Sequence, residues 1–180
     1  MNSQSRRPAD DEPIRIAPYD PEWPARFEQE RLALEGVLGR STTGGIHHVG
    51  STAVPGLSAK PIIDILVGIT DLESGRAHIE TLKDLRYVYA PHRSDEMVWF
   101  CKPSPAARTH HLHLVPTGSR RFHDELAFRD YLRRHSEAAD AYAALKQTLA
   151  DRFQHDREAY TEAKASFVNE ISASAALPLV

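Results

Sequence analysis

The stretch HHVGSTAVPGLSAKPIIDILVGI, residues 47–69, decides the fold. A short run bounded by Ile46 and Val49 ends in Gly50-Ser51, and a loop holding Pro55 and Gly56 follows. A near-continuous apolar run from Pro61 to Ile69 then carries one acid, Asp64. The first run reads as a strand, and the second as a strand covered on both faces. A small-residue turn after a strand exposes backbone N–H groups that can hold a phosphate. A carboxylate inside an apolar strand is costly to bury unless a cation meets it. Together these features point to a phosphate-handling, metal-assisted site.

Working outward, Ile14 to Ala17 reads as a short opening strand. Asp20-Pro21 reads as a helix start, with Asp as N-cap and Pro at the first helical position. Trp23, Phe27, Leu34 and Leu38 recur at helical spacing and form one apolar face. Downstream, Asp71 to Leu85 is predicted helical. Tyr87 to Tyr89 and Met97 to Lys102 are short strands around a polar turn at His92 to Glu96. His110 to Val115 alternates, with His111 and His113 on one face and Leu112 and Leu114 on the other. By the same alternation His47 and His110 point away from His48, His111 and His113. After Pro116-Thr117-Gly118 the pattern turns helical: Asp124 to Arg134 comes first. Ser136 then caps a longer helix with Tyr142, Leu145, Leu149 and Phe153 on one face. Asp156 caps a last helix carrying Tyr160, Lys164, Phe167, Val168 and Ile171.

The fold class is therefore α+β. Residues 1–13 read as a disordered leader, 14–172 as one domain, and 173–180 as a frayed tail. Within the domain, 14–118 holds the sheet and 119–172 is the helical part. A chain of 180 residues is long enough for one full core. Its 41% hydrophobic and 26% charged residues are those of a soluble globular protein. A net charge of −3 gives no nucleic-acid footprint. The single cysteine, Cys101, excludes an internal disulfide and agrees with a reducing compartment. No apolar stretch approaches the roughly 18–20 residues of a membrane helix. The polar start MNSQSRRPADDEP lacks the apolar segment of a signal peptide, so a cytoplasmic protein is expected. The helical C-terminal part leaves room for a homo-oligomer.

Three sets of residues can carry chemistry. Gly50, Ser51 and Thr52 form the candidate phosphate turn, where glycine permits close approach and a hydroxyl adds a donor. Asp64 is the candidate metal carboxylate, and with Ser51 the candidate catalytic residue. The position two before it is Ile62, so this strand holds no acid pair. The competing reading is a buried Asp satisfied by Lys60, Arg108 or backbone amides. His111 and His113, with His48 as company, can bind a metal because residues i and i+2 of a strand share a face. Imidazoles suit Zn²⁺ or Mn²⁺ better than Mg²⁺. The competing reading for them is core hydrogen bonding. Lys60 and Arg108 are the cations placed to neutralise a phosphate. Lys146 and Lys164 each sit beside an apolar stripe and read as solvated flanks. Cys101 reads as structural.

These segments resemble the GrpB family, within the nucleotidyltransferase superfamily of folds. The resemblance rests on YDPEWPARF (Tyr19 to Phe27), HVGSTAVPGLSAKPIIDILV (His48 to Val67) and RTHHLHLV (Arg108 to Val115). FRDYLRRH and the later YTEAKASFV add to it. It implies a small mixed sheet flanked by helices, with the helical C-terminal part packed against a nucleotide cleft. Active members of that superfamily carry a Gly-Ser turn, an Asp-x-Asp pair and a third acid on a later strand. Here Gly50-Ser51 and the second acid, Asp64, remain. Ile62 stands at the first acid, and His111 and His113 occupy the third-acid strand. The resemblance thus implies either an altered metal site, taking Mg²⁺, Mn²⁺ or Zn²⁺, or a pocket that binds nucleotides without turning them over. A third role is a chaperone-like accessory or interaction module, since the family domain also occurs fused to dephospho-coenzyme A kinase. The chain lacks the G-x-x-x-x-G-K-[ST] loop of such a kinase.

Overall fold

Five strands form one sheet in the order β1-β2-β5-β4-β3. The computed structural model describes residues 12–175. The leader expected at residues 1–13 falls mostly outside that range, as does the end of the tail. The strands are β1 (Thr42–Val49), β2 (Ile63–Ile69), β3 (Val88–Tyr89), β4 (Val98–Pro103) and β5 (Arg108–Pro116). β2 pairs antiparallel with β1 and parallel with β5, so the sheet is mixed, as in a nucleotidyltransferase-like fold. Its two central strands are apolar because both faces are covered.

One face is covered by α1 (Trp23–Leu38), whose Trp23, Phe27, Leu34 and Leu38 pack on Ile63, Ile65, Val67, Leu112 and Leu114. The helix begins later than Asp20-Pro21 suggests. Asp20 instead accepts from the amide of Glu22, and Pro24 occupies the first turn. Glu30, 7% exposed on α1, meets Lys102 at 2.7 Å across this face. His110 points the same way, towards Glu30, as the alternation predicts.

Four helices, α3 (Arg120–Arg134), α4 (Ser136–Arg152), α5 (Arg157–Ala163) and α6 (Ala165–Ala175), make up the C-terminal part. Phe122 of α3 packs with Val49, Leu66 and Val115 on the second face of the sheet. The caps differ from those expected. Ser119 caps α3 through Phe122, so that helix starts four residues before Asp124. His135, not Ser136, precedes α4. Asp156 does cap α5, but Lys164 separates α5 from α6. Residues 173–175 continue α6 rather than fray.

Other differences are local. Ile14 to Ala17 makes only a single bridge, Ala17 to Ala59. The segment from Asp71 breaks into α2 (Leu72–Arg76) and a short 3-10 turn, Thr81–Leu85. At Gly75 a Cβ would lie 2.7 Å from Ile69 Cδ1, so the short helix is pressed close to the sheet.

Register settles the histidines of β1. Val49 lies opposite Asp64, and His48 lies opposite Ile65. Directly paired residues share a face, so His48 belongs to the α1 face and His47 to the Asp64 face, the reverse of the sequence expectation. His48 stacks on Phe27 at 4.8 Å and shares a 2.9 Å hydrogen bond with Thr52 Oγ1. It is not company for His111 and His113.

Burial, with Arg133 and Arg129 nearby, holds the His48 imidazole down at about 4. Above pH 6.5 neither state protonates it. Between about 4 and 6.5 the unfolded chain binds a proton that the folded chain resists, so stability falls as pH falls through that window. Urea unfolding from pH 7.5 to 4 should lose roughly 2–3 kcal/mol more in the wild type than in His48→Gln. Equal losses would mean that His48 does not titrate this way. A second expectation concerns the β1–β2 crossing, where a Cβ on Gly68 would lie 2.5 Å from Gly44 Cα and 2.8 Å from Thr117 Oγ1. Gly68→Ala should cost about 1–3 kcal/mol by overpacking, seen as a lower urea midpoint.

Candidate functional site

The site forms where β1 ends and β2 and β5 begin. Asp64 is the second residue of β2, and in the parallel register His111 of β5 stands beside it. His113 follows on the same face of β5. Asp64, His111 and His113 each bring a ligand atom within 4.8 Å of the others. One ion with tetrahedral bonds of about 2.1 Å holds its ligands about 3.4 Å apart, so the side chains close around it only by moving inward by roughly an ångström. These are the three residues of the predicted metal set that come together.

Hydrogen bonds fix the tautomers. His111 Nδ1 lies 2.9 Å from Asp64 Oδ1, and His113 Nδ1 lies 3.2 Å from Glu125 Oε2. Each imidazole thus donates Nδ1–H to a carboxylate: for His113 it is Glu125, outside the three-residue cluster, and for His111 it is Asp64 itself. His111 Nε2 is buried with no hydrogen-bond partner. An orphaned buried lone pair is costly unless a ligand meets it.

The charges follow from these contacts. Burial pushes the Asp64 carboxyl up, but the His111 hydrogen bond and the His111, His113 and Lys164 charges outweigh it and hold it below the usual range. Burial lowers the His111 imidazole despite Asp64, which favours its neutral form. His113 is the opposite case: Glu125 and Asp64 outweigh burial and raise it. Glu125 is held low by His113 and Arg121, whose Nε lies 2.9 Å from it. Sequence reading missed Glu125. Its signal is its place on α3 between Phe122 and Leu126, which both face the sheet.

Gly50 presses against the carboxylate. It has φ +69°, and a Cβ there would lie 2.4 Å from Asp64 Oδ2. Ser51 opens a 3-10 turn, Ser51–Ala53, whose leading amides have no partner within it. Tyr142 of α4 packs with Val54 and Leu57 of the loop that follows this turn. The Thr52 hydroxyl is turned inward, to His48 and to the Ile62 carbonyl at 3.2 Å. For a ligand at this turn Thr52 keeps only its backbone amide.

The cations are arranged differently from the prediction. Arg108 donates to the Pro105 carbonyl and lies 5.4 Å from the Trp99 ring. Lys60 lines a cavity of about 340 Å³ together with Arg108 and Arg157, and its Nζ lies 4.1 Å from the Tyr160 ring. Lys146 is no solvated flank: it is 2% exposed and donates to the Ser58 carbonyl. Lys164 is likewise largely covered, 4.4 Å from the Tyr160 ring. Both fall on the buried face because they sit four residues after Tyr142 and Tyr160. Cys101 is buried beside His111 in the register, as a structural residue would be.

No helix is long and apolar enough to cross a membrane among the described residues. Residues 13–174 match the family model described as GrpB protein. The chain is 41% identical to the UPF0157 protein PA4798 of Pseudomonas aeruginosa over 91% of this chain and 68% of that protein. It is similar to the crystal structure of GrpB from Enterococcus faecalis, with TM-score 0.82 and 32% identity, covering 89% of this chain and 96% of that one. A dephospho-CoA kinase of Mycolicibacterium paratuberculosis is 28% identical over 84% of this chain, which spans 43% of that kinase. By sequence over nearly its whole length and by fold, the chain belongs to the GrpB family.

Proposed function

We propose that the chain binds a phosphorylated ligand, a nucleotide in the first instance, over a divalent ion held by Asp64, His111 and His113. The observation that carries this reading is that Asp64, His111 and His113 each bring one ligand atom within 4.8 Å of the others. Two imidazoles and one carboxylate suit Zn²⁺ or Mn²⁺, and the three side chains would hold one ion after moving inward by roughly an ångström. Such an ion would supply charge stabilisation for phosphoryl or nucleotidyl transfer. Asp64, ionised, would hold it. Glu125 keeps His113 in the tautomer that presents Nε2. The Gly50-Ser51 turn would offer its amides and the Ser51 hydroxyl to a phosphate. The likeness to part of a dephospho-CoA kinase supports a nucleotide as the ligand.

A second reading, binding without turnover, is favoured by a separate observation. Asp64 is the only carboxylate of the three-residue cluster, and Glu125 is engaged by His113 and Arg121. Metal-dependent phosphoryl transfer by carboxylates alone needs more acids than this face provides.

Thermal unfolding with each nucleoside triphosphate, in EDTA, Mg²⁺, Mn²⁺ or Zn²⁺, tests the proposal. A ligand at about 100 times its Kd adds roughly 2.7 kcal/mol, enough to raise Tm by several degrees. Zn²⁺ or Mn²⁺ should stabilise the wild type and enlarge the shift given by one nucleotide, and Asp64→Asn should abolish both effects. A nucleotide shift that no ion enlarges favours binding without turnover. Flat curves with every metal and nucleotide would overturn the proposal.

A further inference from the structure

Three lysines reach the Asp64 region from parts of the chain far apart in sequence. Lys60 comes from the loop before β2, Lys146 from α4, and Lys164 from the junction of α5 and α6. Their packing is shared. Lys60 and Lys164 lie 4.1 and 4.4 Å from one ring, Tyr160, and Lys146 lies 4.8 Å from Tyr142. Tyr142 packs with Val54 and Leu57 of the loop after the Gly50-Ser51 turn, and Lys146 donates to the Ser58 carbonyl of that loop.

Among the described residues none of these lysines has a carboxylate within ion-pair distance, although the whole chain carries a net charge of −3. Each feels the Asp64 charge, and Lys60 and Lys146 both feel repulsion from Lys164. Three lysines against one carboxylate leave positive charge in excess; Lys146 is buried, and Lys60 and Lys164 are half-buried. Keeping an ammonium group buried with no carboxylate partner, as at Lys146, is unfavourable, and a well-packed apolar residue would serve a purely structural role better. Their arrangement suits an anion of several charges spread along a chain better than a single carboxylate, because the three groups are held by two separate rings.

We propose that Lys60, Lys146 and Lys164 form an anion site beside the Gly50-Ser51 turn, which takes the condensed phosphate chain of the ligand without needing a metal ion. This rests on the reading that the ligand is phosphorylated.

The electrostatics of the site supply a signature. Burial, then Lys164, brings both Lys60 and Lys146 down to about 7. Arg157 and Arg108 also face Lys60 and lower it, and only Asp64 acts the other way. Lys164 faces Asp64 and is lowered by burial. The Tyr142 and Tyr160 phenols stay protonated, because burial raises both. A bound polyanion restores the ammonium forms, so above pH 7 binding draws protons from solution.

Calorimetric titration of the full chain with sodium tripolyphosphate in EDTA, in buffers of different ionisation enthalpy, tests this. Binding should be tighter at pH 6.5 than at pH 8.5, with net proton uptake at the higher pH. Lys146→Met and Lys164→Met should each weaken it by about tenfold or more, the worth of a charge-assisted contact. Lys146→Met should melt at higher temperature than the wild type without the anion, since it removes a buried charge that has no carboxylate partner. No binding at pH 6.5, or equal binding by wild type and both variants, overturns the proposal. Variants that melt lower yet bind tripolyphosphate as well as the wild type also overturn it, by giving the lysines a structural role. Tripolyphosphate binding with no response to any nucleotide would uphold the anion site and reject a nucleotide as its ligand. Nucleotide binding that both variants retain would do the reverse.

Discussion

One buried carboxylate organises this protein. Asp64 stands at the start of a central strand, in surroundings that by themselves would drive it neutral. It stays ionised because the parallel neighbour strand presents His111 in register with it, with His113 two residues on. That arrangement requires β5 to lie beside β2, which in turn requires β3 and β4 to lie beyond β5. The order of the sheet is thus tied to keeping one charge paired. Gly50 is the other half of the constraint, since only a residue without a Cβ lets the end of β1 pass so close to that carboxylate.

The two faces of the sheet carry different burdens. The α1 face is an apolar core with one internal ion pair, Lys102 with Glu30, and with His48 packed as a neutral aromatic ring. The other face combines a modest apolar cluster around Phe122 with most of the ionisable groups that lack an ordinary structural role. This separation puts the main apolar core on one side and the candidate site on the other. It also explains why the C-terminal helices, although less apolar than the strands, are integral: they complete the second face.

Much of this was legible from the sequence because it depends on short-range pattern. The apolar runs, the Gly-Ser turn, the α1 stripe and the alternation of His111 and His113 all follow from local periodicity. The errors came from what periodicity does not encode. His47 and His48 exchanged faces because facing depends on the pairing register, with Val49 opposite Asp64, and the pattern of β1 alone does not encode that register. Lys146 and Lys164 were assigned to solvent by residue type, whereas their spacing from Tyr142 and Tyr160 already placed them on the buried face. For Glu125 the spacing from Phe122 and Leu126 marks the sheet-facing side of α3, but nothing in α3 announces that its partner is a histidine on a strand. The single helix expected after Asp71 failed because a long helix leaves no room where Gly75 touches the sheet.

The distribution of the site along the chain has a consequence for synthesis. The sheet, with Asp64 and both histidines, is complete once residue 116 has emerged, while Lys146 and Lys164 follow only with the last helices. At about 5–20 residues per second the interval lasts a few seconds. During it a nascent chain already holds the histidine–carboxylate cluster but only one of the three lysines. The order in which the ribosome delivers these groups therefore places the metal-capable cluster first and the enclosing cations last.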